Sequence, residues 1–280
     1  MTQHVTKFRR FTRRRIVNAV TSVLLVSLLA AVVFYQQQHL IRSSYTTGYV
    51  LIGCLFFLAA FNLRKKIPML PGIGSAAWWM QVHIYVGLST FVIFGLHVGW
   101  RVPNGGFELL LTGLYLVVAF SGVYGLYVTR VLPRRLTAIN EEVIFERIAS
   151  LRHQLTMQAR QLVLEACESS DVLARFYANR LASFLERSRG WAYLVHPTGR
   201  LRRQVIGELE ELDRFLTVEQ RQTTRTLSQI VQQKDDLDYH QAIQGRLKVW
   251  LFVHVGLTYS LLLVAVMHGV LVHAFVGGIR

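Results

Sequence analysis

The fold class that this sequence predicts is all-α: a polytopic membrane bundle of five transmembrane helices with a cytoplasmic helical insert. Three observations predict it. Five apolar runs, at 16–35, 48–63, 78–100, 107–128 and 250–275, are long enough or nearly long enough to cross a bilayer as helices. Between the fourth and fifth lies a polar, helix-patterned stretch with 15 acidic residues against 18 Lys and Arg. The remaining cations cluster at the ends of alternate runs. A chain of 280 residues with 52% hydrophobic residues and 17% charged ones is a poor candidate for a single soluble domain. Its net charge of +15 is distributed by topology, so nucleic-acid binding does not follow from it.

Residues 1–15 form a basic cytoplasmic N-terminus, with six cations between Lys7 and Arg15. The run Ile16–Tyr35 follows at once. It is about 20 residues long and lacks a small-residue cleavage pattern, so it is expected to stay as the first span of a membrane region covering 16–129. The second run is closed by Arg64, Lys65 and Lys66, which places both cation clusters on the cytoplasmic side. Gly72, Gly74 and Ala77 have the GxGxxA spacing of a dinucleotide fingerprint, but no strand precedes them and a membrane helix follows, so the motif is set aside. Pro68 and Pro71 fit a tight turn. Trp78, Trp79 and Trp100 suit an aromatic belt around the third span. In the fourth run Gly113, Gly122 and Gly125 mark points of close approach, and Arg130, Pro133, Arg134 and Arg135 are expected to stop it. The insert, 130–246, shows cap signals at Asn140, Ser170 and Thr217–Gln220, and one long break at 189–200. The last span, 247–276, begins inside and ends outside. Only Arg42, Arg101 and Arg280 then lie on the outer face.

The third and fifth spans each contain two histidines fourteen residues apart: His83 and His97, then His254 and His268. At about 100° per residue that separation falls roughly 40° short of four turns, so each pair shares a helix face about 21 Å apart along the axis. Intramembrane ionisable groups are costly and usually functional. Four at a repeated spacing on two parallel helices call for a common partner that takes imidazole nitrogen. Two stacked, non-covalent b-type haems meet that need, His83 with His254 holding the inner iron and His97 with His268 the outer. A single histidine on an apolar face is commonly a hydrogen-bonded core residue, and it is the matched spacing that argues otherwise. His273 lies about 140° round the helix from His268 and reads as interfacial. Cys54 and Cys167 stand alone, so neither covalent haem attachment nor an iron–sulfur cluster is expected.

This constellation resembles the di-haem membrane cytochromes b, as in the ferric-reductase-like proteins and the bc-type cytochromes b. HVGWR at 97–101 is similar to the histidine-to-arginine end of such a helix in the bc-type proteins. The resemblance covers the membrane helices alone and implies a bis-histidine electron conduit, the electron-transfer subunit of an oxidoreductase complex. No flavin or nicotinamide module, quinol-site signature or catalytic constellation is visible. The insert belongs to neither family.

Cationic partners for haem propionates are sought at Arg101 outside and at Lys248 or Arg130 inside, although solvated flank charges are the simpler reading. The KDDLDYH segment, Lys234–His240, reads as a solvated helix face, with a docking patch as the rival and no complete metal-ligand set around His240. The expected setting is the cytoplasmic membrane, N-terminus inside and C-terminus outside. The expected partners are the lipid bilayer, a redox subunit bearing an iron–sulfur, flavin or multihaem cytochrome c centre, and quinone. Two other classes fit the same histidines: a transporter moving protons or metal ions, and a membrane sensor with the insert as output. Both work without haem.

Overall fold

The computed structural model describes residues 2–40, 42–64, 75–136, 144–167 and 171–276. It is helical throughout, with no strand among the described residues. Helices α1 (Thr2–Gln38), α2 (Ser43–Arg64), α3 (Ala76–Val98) and α4 (Gly106–Leu136) come first. After a 3₁₀ turn at Phe145–Arg147 follow α5 (Ile148–Cys167), α6 (Asp171–Phe176), a π turn at Tyr177–Leu181, α7 (Ala182–Glu186), α8 (Trp191–Val195) and α9 (Arg200–Leu212). A second 3₁₀ turn, Asp213–Phe215, leads to the 59-residue α10 (Val218–Val276). Among the described residues five helices, α1–α4 and α10, are long and apolar enough to be candidate membrane spans.

The chain divides into two compact units, one of Met1–Gly125 with Leu251–Arg280, the other of Leu126–Trp250. In the first, α3 packs against α2 and α1. Leu55, Tyr115 and Leu261 are its buried centre, with Phe94 and Leu111 against them. Tyr115 donates to Thr90 Oγ1 at 3.1 Å, and Thr90 donates in turn to the Gly87 carbonyl at 2.7 Å, so this buried polar chain is satisfied. The outward faces are apolar: Leu24, Leu28, Phe120, Leu263 and Val270 are all exposed. Contiguous outward apolar surface on this scale suits lipid as solvent.

The ends of α3 are set by local chemistry. Ser75 caps the start, its Oγ accepting from the Trp78 N–H at 3.3 Å. At the other end Gly99 and Trp100 both take positive φ, and the Trp100 N–H reaches back to the Gly95 carbonyl at 2.9 Å, a Schellman-type close. That turn folds the Trp100 ring over Gly95, where a Cβ would lie 2.6 Å from it. A side chain at Gly95 would have to push that exposed ring aside, and His97 sits in the capped last turn.

The second unit has its own core, in which Ile148 and Ala159 of α5, Leu181, Leu209 of α9 and Val231 of α10 are all but fully buried. Here the KDDLDYH reading is overturned. Lys234 is 1% exposed and Asp238 2% exposed, and Asp235 and His240 are buried with them. Asp238 accepts from Lys234 Nζ at 2.6 Å, Arg189 Nε at 2.9 Å and Arg152 Nη1 at 3.3 Å. Asp235 accepts from Arg189 Nη2 at 2.7 Å. Of the three aspartates only Asp236 is half-exposed, and it meets Arg202 Nη1 at 3.8 Å. The segment is the paired ionic centre of the unit, because arginines from α5 and from the α7–α8 connection converge on it. Arg189 also lies over the rings of Phe184 and Tyr193, at 5.2 and 5.0 Å. Burial among these carboxylates pushes the Tyr193 phenol up.

Two further expectations need amending. Helix α4 does not stop at Arg130–Pro133 but runs to Leu136, since a proline this close to a helix end removes only one ladder bond. The break at 189–200 contains the one-turn helix α8. The Thr217–Gln220 cap is present in part: Gln220 Oε1 accepts from the Thr217 N–H at 3.1 Å. The signals at Lys65–Lys66, Pro68, Pro71, Gly72, Gly74, Asn140, Ser170 and Arg280 lie outside the described residues.

Candidate functional site

Helices α2, α3, α4 and α10 enclose an apolar cavity in the first unit, with His97, His268 and His273 among its lining residues. The rings of His97 and His268 lie 6.4 Å apart, centroid to centroid, at an interplanar angle of 89°. His83 and His254 lie on the same two helices at the same fourteen-residue offset from His97 and His268. Pairing 83 with 254 and 97 with 268 requires α3 and the distal part of α10 to run parallel.

Each pair is supported by its neighbours. His97 Nδ1 is 3.1 Å from the Ser44 carbonyl and 3.1 Å from Thr47 Oγ1. The Thr47 hydroxyl is itself donated to the Ser43 and Ser44 carbonyls. His97 Nδ1 must therefore bear the proton, which leaves the Nε2 lone pair available. Gly48 makes room for that ring, since a Cβ there would stand 3.1 Å from His97 Cε1. Phe107 stacks on His268 with centroids 6.1 Å apart. On the other pair, His254 Nδ1 lies 3.2 Å from Ser121 Oγ, and Gly122 faces the His254 ring. His83 packs against Phe61, and its Nδ1 is buried with no hydrogen-bond partner.

His273 differs. Its Nδ1 donates to the Gly269 carbonyl at 2.8 Å and its Nε2 accepts from the Tyr49 hydroxyl at 2.6 Å. Both ring nitrogens are thereby engaged.

The donor chemistry fits a metal held between two imidazoles. A metal about 2 Å from one nitrogen of each ring puts the ring centroids roughly 6 Å apart, close to the 6.4 Å between His97 and His268. No cluster of three or more His, Cys, Asp or Glu with metal-binding geometry occurs among the described residues. Of the cations considered as propionate partners, Lys248 is committed elsewhere: it bonds Glu146 at 2.8 Å and lies 3.8 Å over the Phe145 ring. Arg101 and Arg130 are exposed. Of the three α4 glycines, Gly122 faces His254, whereas Gly113 has nothing within 4 Å.

Sequence reasoning missed the supporting residues Ser44, Thr47 and Ser121. Their signal was present as small polar residues within otherwise apolar helices. A comparison with protein-family models, curated proteins and solved structures returned no match.

Proposed function

We propose that this protein is a di-haem b-type cytochrome of the cytoplasmic membrane, moving electrons between a quinone or soluble redox partner and an acceptor subunit. The observation that supports it most is the His97–His268 geometry, on helices that repeat the same fourteen-residue spacing at His83 and His254.

In this reading His83 with His254, and His97 with His268, would hold two haems through their imidazole nitrogens. Such groups, held between two imidazoles each, would supply one-electron transfer. Everything else is the work of the chain. Ser44 and Thr47 fix the His97 tautomer and ring plane. Ser121 steadies His254. The apolar walls of the cavity would keep water from a group bound there. The two ligand levels on α3, about 21 Å apart, give a relay across the bilayer within one chain. All five candidate spans cross the membrane, the N-terminus lies inside and the C-terminus outside, and the 130–246 insert meets the redox partner.

The test is a visible spectrum of the purified full-length protein. A sharp reduced b-type band, with two haems per chain by extraction, is the expected result. A colourless protein expressed with ample haem supply overturns the reading in favour of a transporter or a haem-free sensor.

A further inference from the structure

Helix α8 is one turn long, and it turns its apolar side outward. Trp191 is 75% exposed and Val195 71% exposed, at i and i+4 on one face. A soluble unit with a full core gains nothing from leaving a tryptophan in water, at a cost of order 1–3 kcal/mol for a large apolar side chain. Where α8 sits explains the exposure. Arg246 Nη2 donates to the Leu194 carbonyl at 2.7 Å and also to the Val195 carbonyl, and a Cβ on Gly245 would meet Leu194 Cδ1 at 3.1 Å. The helix is thus clamped onto α10 at residues 245–246. Three residues on, at Val249 and Trp250, the apolar run of α10 begins. At about 1.5 Å per residue the clamp lies roughly 5 Å from that boundary.

The charge around α8 matches the same setting. Between Glu186 and Arg203 the chain has five arginines and one glutamate. Arg189 and Arg202 pair with the buried aspartates. Arg187, Arg200 and Arg203 are exposed, and Leu201 is exposed beside them. Exposed tryptophan and aliphatic groups with exposed arginines close by in the chain suit an anionic lipid surface: rings and methyls enter the headgroup boundary while guanidinium groups meet phosphate.

We propose that α8, through Trp191 and Val195 with Arg200 and Arg203 at its edge, is an interfacial anchor that seats this unit on the anionic headgroups of the bilayer entered by α10. The inference rests on α10 entering a membrane near Val249 and is independent of haem.

The experiment uses the full chain with Cys54 and Cys167 replaced by Ser, reconstituted in phosphatidylcholine vesicles with and without phosphatidylglycerol. A nitroxide is placed at Val195→Cys, with Leu164→Cys on α5 as an exposed control and Leu263→Cys as a reference for the apolar run. Collision with oxygen, which partitions into lipid, is compared with collision with a water-soluble nickel chelate. Expected is a several-fold preference for oxygen at 195, deepening with anionic lipid and weakening in Arg200→Gln/Arg203→Gln, with 164 favouring nickel. A label at 195 as open to nickel as that at 164, or shielded from both reagents as by a second copy or another protein, overturns the anchor. A label at 263 open to nickel overturns the membrane entry of α10 itself, and the anchor falls with it.

Discussion

His97 and His268 stand with ring centroids 6.4 Å apart and planes at 89°, one on α3 and one on α10. Nothing local holds them so, because 171 positions separate them in the chain. The arrangement follows from two helices running parallel with their histidine faces turned to a common cavity. If the pairs share irons, His97→Ala and His268→Ala lose the same haem and give matching spectra and matching surviving potentials. His83→Ala and His254→Ala give a second matching set. Each variant retains about half the haem, since one imidazole does not hold a six-coordinate iron. A match between His83→Ala and His268→Ala in potentiometric titration would falsify the pairing.

The space that Gly48 leaves for His97 makes a graded test. A methyl at 48 would stand 3.1 Å from His97 Cε1, so the ring must yield by a few tenths of an ångström. Gly48→Ala is expected to shift the potential of the 97/268 haem while keeping it, and Gly48→Leu to lose it. Gly53→Ala, on the same helix with nothing within 4 Å, is the control and leaves both haems unchanged. Equal effects at 48 and 53 in redox titrations would show that α2 is acting by helix propensity alone.

The long-period features of this chain were legible because they depend on counting. Apolar runs long enough to cross a bilayer, a fourteen-residue repeat and a polar insert survive any detail of side-chain placement. What stayed hidden depends on which side chains converge from distant positions. KDDLDYH is charged enough to read as a solvated face, and only the arrival of Arg152, from α5, and of Arg189 explains how Lys234 and Asp238 are buried. Thr47 likewise looked like an ordinary span residue, because its contact with His97 joins positions fifty apart.

That buried ionic centre makes its own prediction. Asp238 is approached by three cations, and removing its carboxylate strands them in a low-dielectric interior. Asp238→Ala is expected to destabilise the 126–250 unit by about 3–5 kcal/mol, whereas Asp236→Ala, at the half-exposed member of the run with Arg202 3.8 Å away, changes it by less than about 1 kcal/mol. Thermal unfolding of the full-length protein, followed by protease sensitivity within 144–250, reads the difference. Similar midpoints for the two variants would mean that the network contributes no net stability.

The orientation proposed for the spans can be read at the chain's end. With Lys7–Arg15 and Arg64–Lys66 inside, an odd number of crossings puts residues after Val276 outside. A reporter that is active only beyond the cytoplasmic membrane, fused after Arg280, is expected to be active. Activity of a cytoplasm-restricted reporter at the same point means an even number of crossings.

His273 is the decisive neighbour, because it lines the same cavity as His97 and His268 and lies only five residues from the latter. A ligand needs one nitrogen with a lone pair to spare. His97 has one, since its Nδ1–H is directed at Ser44 and Thr47. His273 donates from Nδ1 to Gly269 and accepts at Nε2 from Tyr49, so neither nitrogen is left for a metal. His273→Ala is therefore expected to keep two haems, with the 97/268 potential moved modestly by the change in polarity beside it. Tyr49→Phe should produce a similar, smaller movement and no loss. If His273→Ala removes a haem while Tyr49→Phe leaves both, the Tyr49 bond is incidental, and His273 rather than His268 is the partner of His97.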